Sequence, residues 1–278
     1  MLTIINGELR SETTLVDVTD SGFLYGDSLF ETIRADGSTL IWAEQHLDRL
    51  ETACKLCAIP FHRQQAKADL ELASRKITWP AARVRLTLSR GSVAGMKKDH
   101  VTQGFMVVTV QPYTPPTGEQ YQRGVDCIFA PNRRVNPVTS LPQLKRGNYA
   151  DCLHAIGQAR QKQVFEALFR EPGGDLLEGA ISNFFVLLDG ILITPPAGEL
   201  VLAGITRQQV IDAAGRLSLP VLEHPIHCDQ LAHISEAFLT SSLFGLLPVR
   251  SIEHRNIPAG PIASHLREEL GAPFNETE

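Results

Sequence analysis

Long apolar runs are missing from this 278-residue sequence. No stretch approaches the roughly 20 residues that a membrane-spanning helix needs. The N-terminal Met1-Leu2-Thr3-Ile4-Ile5-Asn6-Gly7 carries no basic region ahead of a long apolar core, so no secretory signal is expected. Clustered cations are missing too. Arg133-Arg134 stands as an isolated pair in a chain of net charge -5. A nucleic-acid backbone demands grouped lysines and arginines, so no nucleic-acid partner is expected. Cysteine is sparse: five residues, an odd number, irregularly spaced. That pattern fits reduced thiols in a cytoplasmic protein better than a disulfide framework. Cys54 and Cys57 form one C-x-x-C. At helical spacing they share a face and read as buried thiols, with a redox or metal role as the alternative. A zinc site would need a second pair of ligands, and His224-Pro225-Ile226-His227-Cys228 is the nearest candidate. Internal repeats and low-complexity segments are absent.

What is present suits a packed protein. Apolar residues make up 43 % and charged residues 21 % of the chain, and its length allows two modest domains. Thr3–Ile5 reads as a strand and Asn6-Gly7 as a tight turn. Ser28–Arg34 is a second strand, turned by Asp36-Gly37 into Thr39–Trp42. A helix follows with Leu47, Leu50, Ala53, Cys54 and Cys57 on one stripe. Ala82–Ser89 alternates as a half-buried strand should, and Gly104–Gln111 is its expected partner. Pro112–Gly118 has linker composition. The expected organisation is an N-terminal α/β domain over 1–111, a linker over 112–122 and a C-terminal domain over 123–278. In the latter, Gly124–Ala130 starts as a strand and Asn148–Phe169 is helical in period. Asn183–Leu188, Asp189-Gly190 and Ile191–Thr194 form a hairpin. Thr206–Arg216 is a helix with Gly204 before it and Thr206 as its cap. Ala237–Thr240 is a short strand.

Several residues could carry chemistry. Lys145, in Leu144-Lys145-Arg146-Gly147-Asn148-Tyr149, would alone pass for a surface lysine. Gly147 permits close backbone approach beside it, and the Tyr149 phenol could hydrogen-bond a ring oxygen. A crowded or buried lysine loses its proton more readily, and a neutral amine attacks an aldehyde. Glu178 could be an ordinary turn carboxylate, or it could hold a pyridine nitrogen protonated. Gly204-Ile205-Thr206 opens a helix whose free amides suit a phosphate, unless the helix is merely capped. Thr240-Ser241-Ser242 adds hydroxyls, and Arg49 could supply the phosphate's cationic partner or sit exposed on its helix. Together these form the inventory of a pyridoxal 5'-phosphate enzyme.

The segments, taken in order, resemble the class IV aminotransferase family, the fold-type IV pyridoxal phosphate enzymes. The likeness is carried by Tyr25–Thr32, His46–Leu50, Lys145–Tyr149, Glu178–Phe184, Gly190–Pro195, Gly204–Arg207 and Pro248-Val249. It implies a two-domain α+β or α/β fold, like that of D-amino acid aminotransferase, with the cofactor in the interdomain cleft and a homodimeric assembly. By position, Lys145 matches the Schiff-base lysine and Glu178 the pyridine-nitrogen carboxylate. Arg49, Ile205, Thr206 and Ser242 match the phosphate cup, and Tyr149 the tyrosine near the cofactor ring. Tyr25, Phe30 and Arg90 are candidates for binding the small-molecule amine substrate. Three activities compete: 4-amino-4-deoxychorismate lyase, branched-chain aminotransferase and D-amino acid aminotransferase. Gly22–Gly26, Ala82–Leu86 and Glu178–Asn183 look most like the lyases of folate synthesis. So does a tyrosine four residues after the lysine, where branched-chain enzymes usually have one residue more. Ser89-Arg90-Gly91-Ser92-Val93-Ala94-Gly95-Met96 lacks the histidine of the Arg-x-His carboxylate trap in the D-amino acid enzymes. The expected activity is therefore the lyase, with an aminotransferase as the alternative and a non-catalytic pyridoxal phosphate-binding protein as a remote third.

Overall fold

The computed structural model describes residues 1–10, 17–92 and 104–274. They form two compact units, Met1–Pro115 with Leu144–Tyr149, and Pro116–Gln143 with Ala150–Glu278. The fold is mixed α+β.

The first unit contains strands β1 (Leu2–Ile5), β2 (Glu8–Arg10), β3 (Ser28–Asp36), β4 (Thr39–Leu40), β5 (Ala81–Ser89) and β6 (Met106–Pro112). They build one sheet in the order β2-β1-β6-β5-β3-β4. Its helices are α1 (Ser21–Tyr25), α2 (Ala43–Cys57) and α3 (Arg63–Lys76). Alternation along the strands divides the sheet faces. Leu29, Ile33, Val84, Leu86, Val108 and Val110 pack into one core with Leu47, Leu50 and Ala53 of α2 and Ala66, Leu70 and Ala73 of α3. The opposite face carries Phe30, Thr32 and Arg34 of β3, paired with Thr87, Arg85 and Arg83 of β5. Arg85 and Arg83 pair in turn with Thr109 and Gln111 of β6.

One expectation needs correction here, and one element was not foreseen. The strand after Gly37 stops at Leu40, because Trp42 adopts φ 53° and opens α2. Helix α3 has no clear apolar stripe in the sequence. It buries only Ala66, Asp69, Leu70 and Ala73, and Asp69 accepts from the Gly7 amide and from Gln65.

The second unit contains β7 (Val125–Phe129), β8 (Glu166–Arg170), β9 (Asp175–Gly179), β10 (Asn183–Leu188), β11 (Ile191–Thr194), β12 (Val221–Glu223), β13 (Ile226–His227), β14 (Glu236–Ser241), β15 (Gly245–Ile252) and β16 (Arg255–Asn256). Their order is β12-β11-β10-β14-β15-β7-β8-β9-β13, with β16 paired to β15. The helices are α4 (Gly118–Arg123), α5 (Ala150–Gln161), α6 (Ile205–Arg216) and α7 (Ile262–Leu270). Phe185, Leu192, Phe238 and Leu246 pack under α6 and α7. Phe184, Val186, Leu239 and Leu247 form a second core on the other face.

The helical reading of Asn148–Phe169 holds only to Gln161. Gln163 turns at φ 57° and β8 begins at Glu166. A short apolar run such as Ala167-Leu168-Phe169 has no period that separates strand from buried helix. The cap of α6 is Gly204, one residue before Ile205, and Thr206 lies inside the first turn.

Candidate active site

In the first unit, Leu144–Tyr149 lies along β3. The Phe30 amide donates to the Lys145 carbonyl at 2.9 Å and the Gly147 amide to the Ser28 carbonyl at 2.8 Å. A side chain at residue 147 would meet Ser28 Oγ at 2.1 Å, so the approach requires glycine. Lys145 thereby stands on the polar face of the sheet. Its Nζ is 4.4 Å from the Phe30 ring centroid and 5.7 Å from that of Tyr149. The two rings meet edge-on at 5.4 Å. Arg85 lies over the same Phe30 ring at 3.7 Å. Burial lowers the Arg85 pKa to about 10, with Arg83 acting in the same direction and Tyr149 opposing. Arg85 was not singled out in the sequence, where it is one polar position in an alternating strand.

Behind this face, on the core side, Arg49 is anchored. Its Nε and Nη2 donate to the Glu31 carboxylate at 2.8 and 2.6 Å. His46 Nδ1 lies 2.7 Å from the same carboxylate and, facing an acceptor-only group, carries the proton. Glu31 is fully buried. Burial raises its pKa, but the Arg49 charge and the hydrogen bonds from His46 and Arg49 outweigh burial and hold the carboxyl at about 2. Burial pushes His46 the other way, below its ordinary value, with Glu31 opposing and Arg49 and Lys145 adding to the shift. Its Nε2 is buried without a hydrogen-bond partner.

In the second unit, Glu178 ends β9 and Asn183 begins β10 after a tight turn. Glu178 Oε2 accepts from Asn183 Nδ2 at 3.1 Å and from the Leu202 amide at 2.9 Å. Oε1 accepts from Arg134 Nε at 3.0 Å. Arg134 also reaches Asp151 Oδ2 at 2.6 Å. Burial opposes the Arg134 charge, but Glu178, Cys152 and Asp151 raise its pKa further. The cation read in the sequence as half of an isolated pair is thus buried against the central carboxylate. Asn183 and Arg134 carry no mark of this role in the sequence.

Asn183 also contacts the start of α6. A Cβ on Gly204 would lie 2.0 Å from Asn183 Oδ1, so only glycine fits. Gly204 offers no capping side chain. The first-turn amides of α6 lack intrahelical acceptors, and Thr206 Oγ1 is buried without a partner. These are the features of a site for an anion: free donors, a positive helix end and an orphaned hydroxyl. Ser242 is half-buried just beyond β14, next to Ser241, whose Oγ accepts from the Leu243 amide at 3.4 Å.

Two substrate candidates have local roles. Arg90 pairs with Asp27 at 2.5 Å and donates to the Ala58 and Cys57 carbonyls at the end of α2. Tyr25 ends α1 and is exposed. Phe30 is buried beside Lys145. Val93–Met96, the end of the stretch without the trap histidine, lies outside the described residues.

All five cysteines are free. Burial raises the Cys54 thiol to about 12, which makes it inert. His227, Cys228 and Asp229 bring their ligating atoms within 4.8 Å of one another. Both His227 nitrogens already bond, Nε2 to the Gly173 carbonyl and Nδ1 to the Asp229 amide, so the group is not a ready metal site. Among the described residues, no helix is long and apolar enough to cross a membrane.

The chain belongs to the class IV amino-transferase family, whose profile matches residues 28–252. A relative in Methanocaldococcus jannaschii, provisionally named a branched-chain-amino-acid aminotransferase, is 32 % identical over 275 residues, covering 96 % of this chain and 94 % of its own. The structure of the Escherichia coli branched-chain amino acid aminotransferase matches with a TM-score of 0.88 at 26 % identity, over 99 % of this chain and 95 % of that one. The 4-amino-4-deoxychorismate lyase of Pseudomonas aeruginosa matches with a TM-score of 0.85 at 25 % identity, over 99 % and 100 %. The fold-type IV architecture expected from the sequence is therefore the one this chain has. Enzymes of the family work with pyridoxal 5'-phosphate, as expected.

Proposed function

We propose that this enzyme is a 4-amino-4-deoxychorismate lyase, releasing 4-aminobenzoate and pyruvate. The observation that carries this reading is the composition of the sheet face beside Lys145. There Arg85 lies over the Phe30 ring that also faces the Lys145 Nζ, with Thr32 and Thr109 as its cross-strand neighbours and Thr87 opposite Phe30. A branched aliphatic side chain gains nothing from a half-buried guanidinium flanked by hydroxyls. A substrate carboxylate does, because it can take a charge-assisted, bidentate hydrogen bond from the guanidinium.

Each unit carries residues whose chemistry suits the cofactor's groups. Lys145 would bind its aldehyde, Glu178 its ring nitrogen, and Arg49, the Ile205 and Thr206 amides, Thr206 Oγ1 and Ser242 its phosphate. When bound, pyridoxal phosphate supplies an electron sink for the bond broken beside the substrate nitrogen. Glu178, paired with Arg134 at 3.0 Å, would hold a proton at the pyridine nitrogen. The Lys145 amine takes the proton from the ring carbon that bears the substrate's amino group. Tyr149 and Phe30 orient that amine. Arg85 replaces Arg90 as our choice for the substrate carboxylate, since Arg90 is engaged by Asp27 and the α2 carbonyls.

A second reading, a branched-chain or D-amino acid aminotransferase, is favoured by the names of relatives. The test is the requirement for an acceptor. Steady release of 4-aminobenzoate and pyruvate from 4-amino-4-deoxychorismate with no 2-oxo acid added is expected. Rapid exchange between leucine or D-alanine and 2-oxoglutarate, with no aromatic product, overturns the lyase reading in favour of the second. The chain is further proposed to act as a cytoplasmic homodimer.

A further inference from the structure

Glu166 opens β8 and is fully buried, with no cation among its hydrogen-bond partners. Its Oε1 accepts from the Ala167 amide at 2.8 Å and, at 3.2 Å, from the Ala180 amide, which also donates to the Ala167 carbonyl at 3.0 Å. Its Oε2 accepts from the Ile181 amide at 3.1 Å and Ser182 Oγ at 2.8 Å. Three of these four donors belong to the short turn that joins β9 to β10. The Gly179 amide closes that turn on the Ser182 carbonyl at 2.7 Å. A Cβ at Gly179 would stand 2.7 Å from Glu166 Oε2 and 2.3 Å from Ser182 Oγ, so glycine makes room for the carboxylate.

A buried carboxylate without a cation is costly. Burial raises this one to about 7 against the pull of its donors. An amide or an apolar side chain would fill the space at lower cost, yet neither could accept from all four donors. The arrangement therefore serves the turn. The turn has Glu178 at its entry and Asn183 at its exit, and those two side chains meet at 3.1 Å.

We propose that Glu166 is a positioning residue, which gathers the Ala180–Ser182 donors and so fixes Glu178 and Asn183 in the geometry that holds the proton at the cofactor's pyridine nitrogen. This rests on the role given to Glu178 above.

The test is a cycle of Glu166→Gln and Glu178→Gln, alone and combined. It is read in the cofactor-loaded enzyme by kcat, KM and the visible absorption of bound pyridoxal phosphate. Amide hydrogen exchange over residues 178–183 is read with and without cofactor. Glu166→Gln should speed exchange at Ile181, shift the visible band, and lower kcat about tenfold with KM little changed. In the Glu178→Gln background the kcat loss should shrink to less than about twofold, because the group being positioned is already gone. Undiminished loss in that background, or faster exchange with kcat and absorption unchanged, makes Glu166 a purely structural residue and overturns the inference. Normal turnover in Glu178→Gln alone would instead remove the reading on which it rests. If Glu166→Gln fails to fold, Ser182→Ala removes a single donor and should give the same pattern at smaller size. Additivity of Ser182→Ala with Glu178→Gln would equally overturn the inference.

Discussion

Replacing Arg134 by methionine should cost more stability than any other single change at the site. The guanidinium bonds Glu178 at 3.0 Å and Asp151 at 2.6 Å, and the three side chains are 5 %, 5 % and 13 % exposed. Methionine fills most of the volume, so packing loss is small and the electrostatic effect dominates. Breaking a buried pair by removing one partner costs about 3–5 kcal/mol, since a charge is left buried and unmatched. Two features place this site at the lower end. Glu178 keeps its bonds from Asn183 and the Leu202 amide, and Asp151 retains some access to water. We therefore expect about 3 kcal/mol, by the same reasoning. Urea unfolding of the wild type, Arg134→Met, Glu178→Gln and the double variant would measure it. The double variant should recover part of the loss, because neutralising Glu178 removes one of the stranded charges. A loss below about 1 kcal/mol for Arg134→Met, of the size of an exposed ion pair, would refute the reasoning. So would strict additivity of the two substitutions.

Other consequences are open to measurement. Lys145→Ala should abolish covalent attachment of pyridoxal phosphate on borohydride reduction and nearly all turnover; labelling of another lysine in the wild type would contradict the assignment. Gly204→Ala should weaken cofactor affinity with little change in secondary structure, because the new methyl meets Asn183 Oδ1 at 2.0 Å at the mouth of the anion site; unchanged affinity by cofactor titration would count against that site. Glu31, held at about 2 in the folded chain against 4.5 for the free group, contributes stability that is complete above pH 4.5 and lost as pH falls toward 2, up to about 3 kcal/mol. His46, depressed below 6.5, acts in the same direction from pH 6.5 downward. Acid unfolding followed by circular dichroism should therefore be less steep in Glu31→Gln, and an unchanged slope would show that the cluster is not proton-linked.

The sequence was legible where local rules decide the outcome. The strand Ala82–Ser89, its partner near Gly104–Gln111 and the hairpin about Asp189-Gly190 follow from alternation and turn chemistry. The Lys145, Glu178 and Gly204 segments were visible because their residues come in a characteristic order. What stayed hidden depends on contacts distant in sequence. Arg134 reaches Glu178 across 44 positions, and no local pattern marks an arginine for burial. Arg85 looks like any outward residue of a strand until Phe30 and Lys145 share its face. Leu144–Tyr149 joins the first unit because two of its backbone groups bond to β3, and a period-based division of the chain has no access to such bonds. The strand β8 was absorbed into a helix because its apolar run is too short to show a period.

Three buried glutamates show how environment assigns work to one side chain. Glu31 faces an arginine and a protonated imidazole nitrogen, so it stays ionised far into acid and serves as a fixed anchor for Arg49. Glu166 has only neutral donors, so burial prevails and its carboxyl titrates near neutrality. Glu178 meets the Arg134 guanidinium on Oε1 and accepts from Asn183 Nδ2 and the Leu202 amide on Oε2. On the role proposed for Glu178, that mixture suits a carboxylate that shares its charge with a protonated ring nitrogen. A second cation on Oε2 would satisfy the carboxylate too well to leave it a useful partner. Adding a cation at Asn183, as in Asn183→Lys, should therefore reduce turnover even if the protein becomes more stable. Comparing kcat with the urea midpoint in that variant separates the two effects, and a rise or fall of both together would contradict the argument.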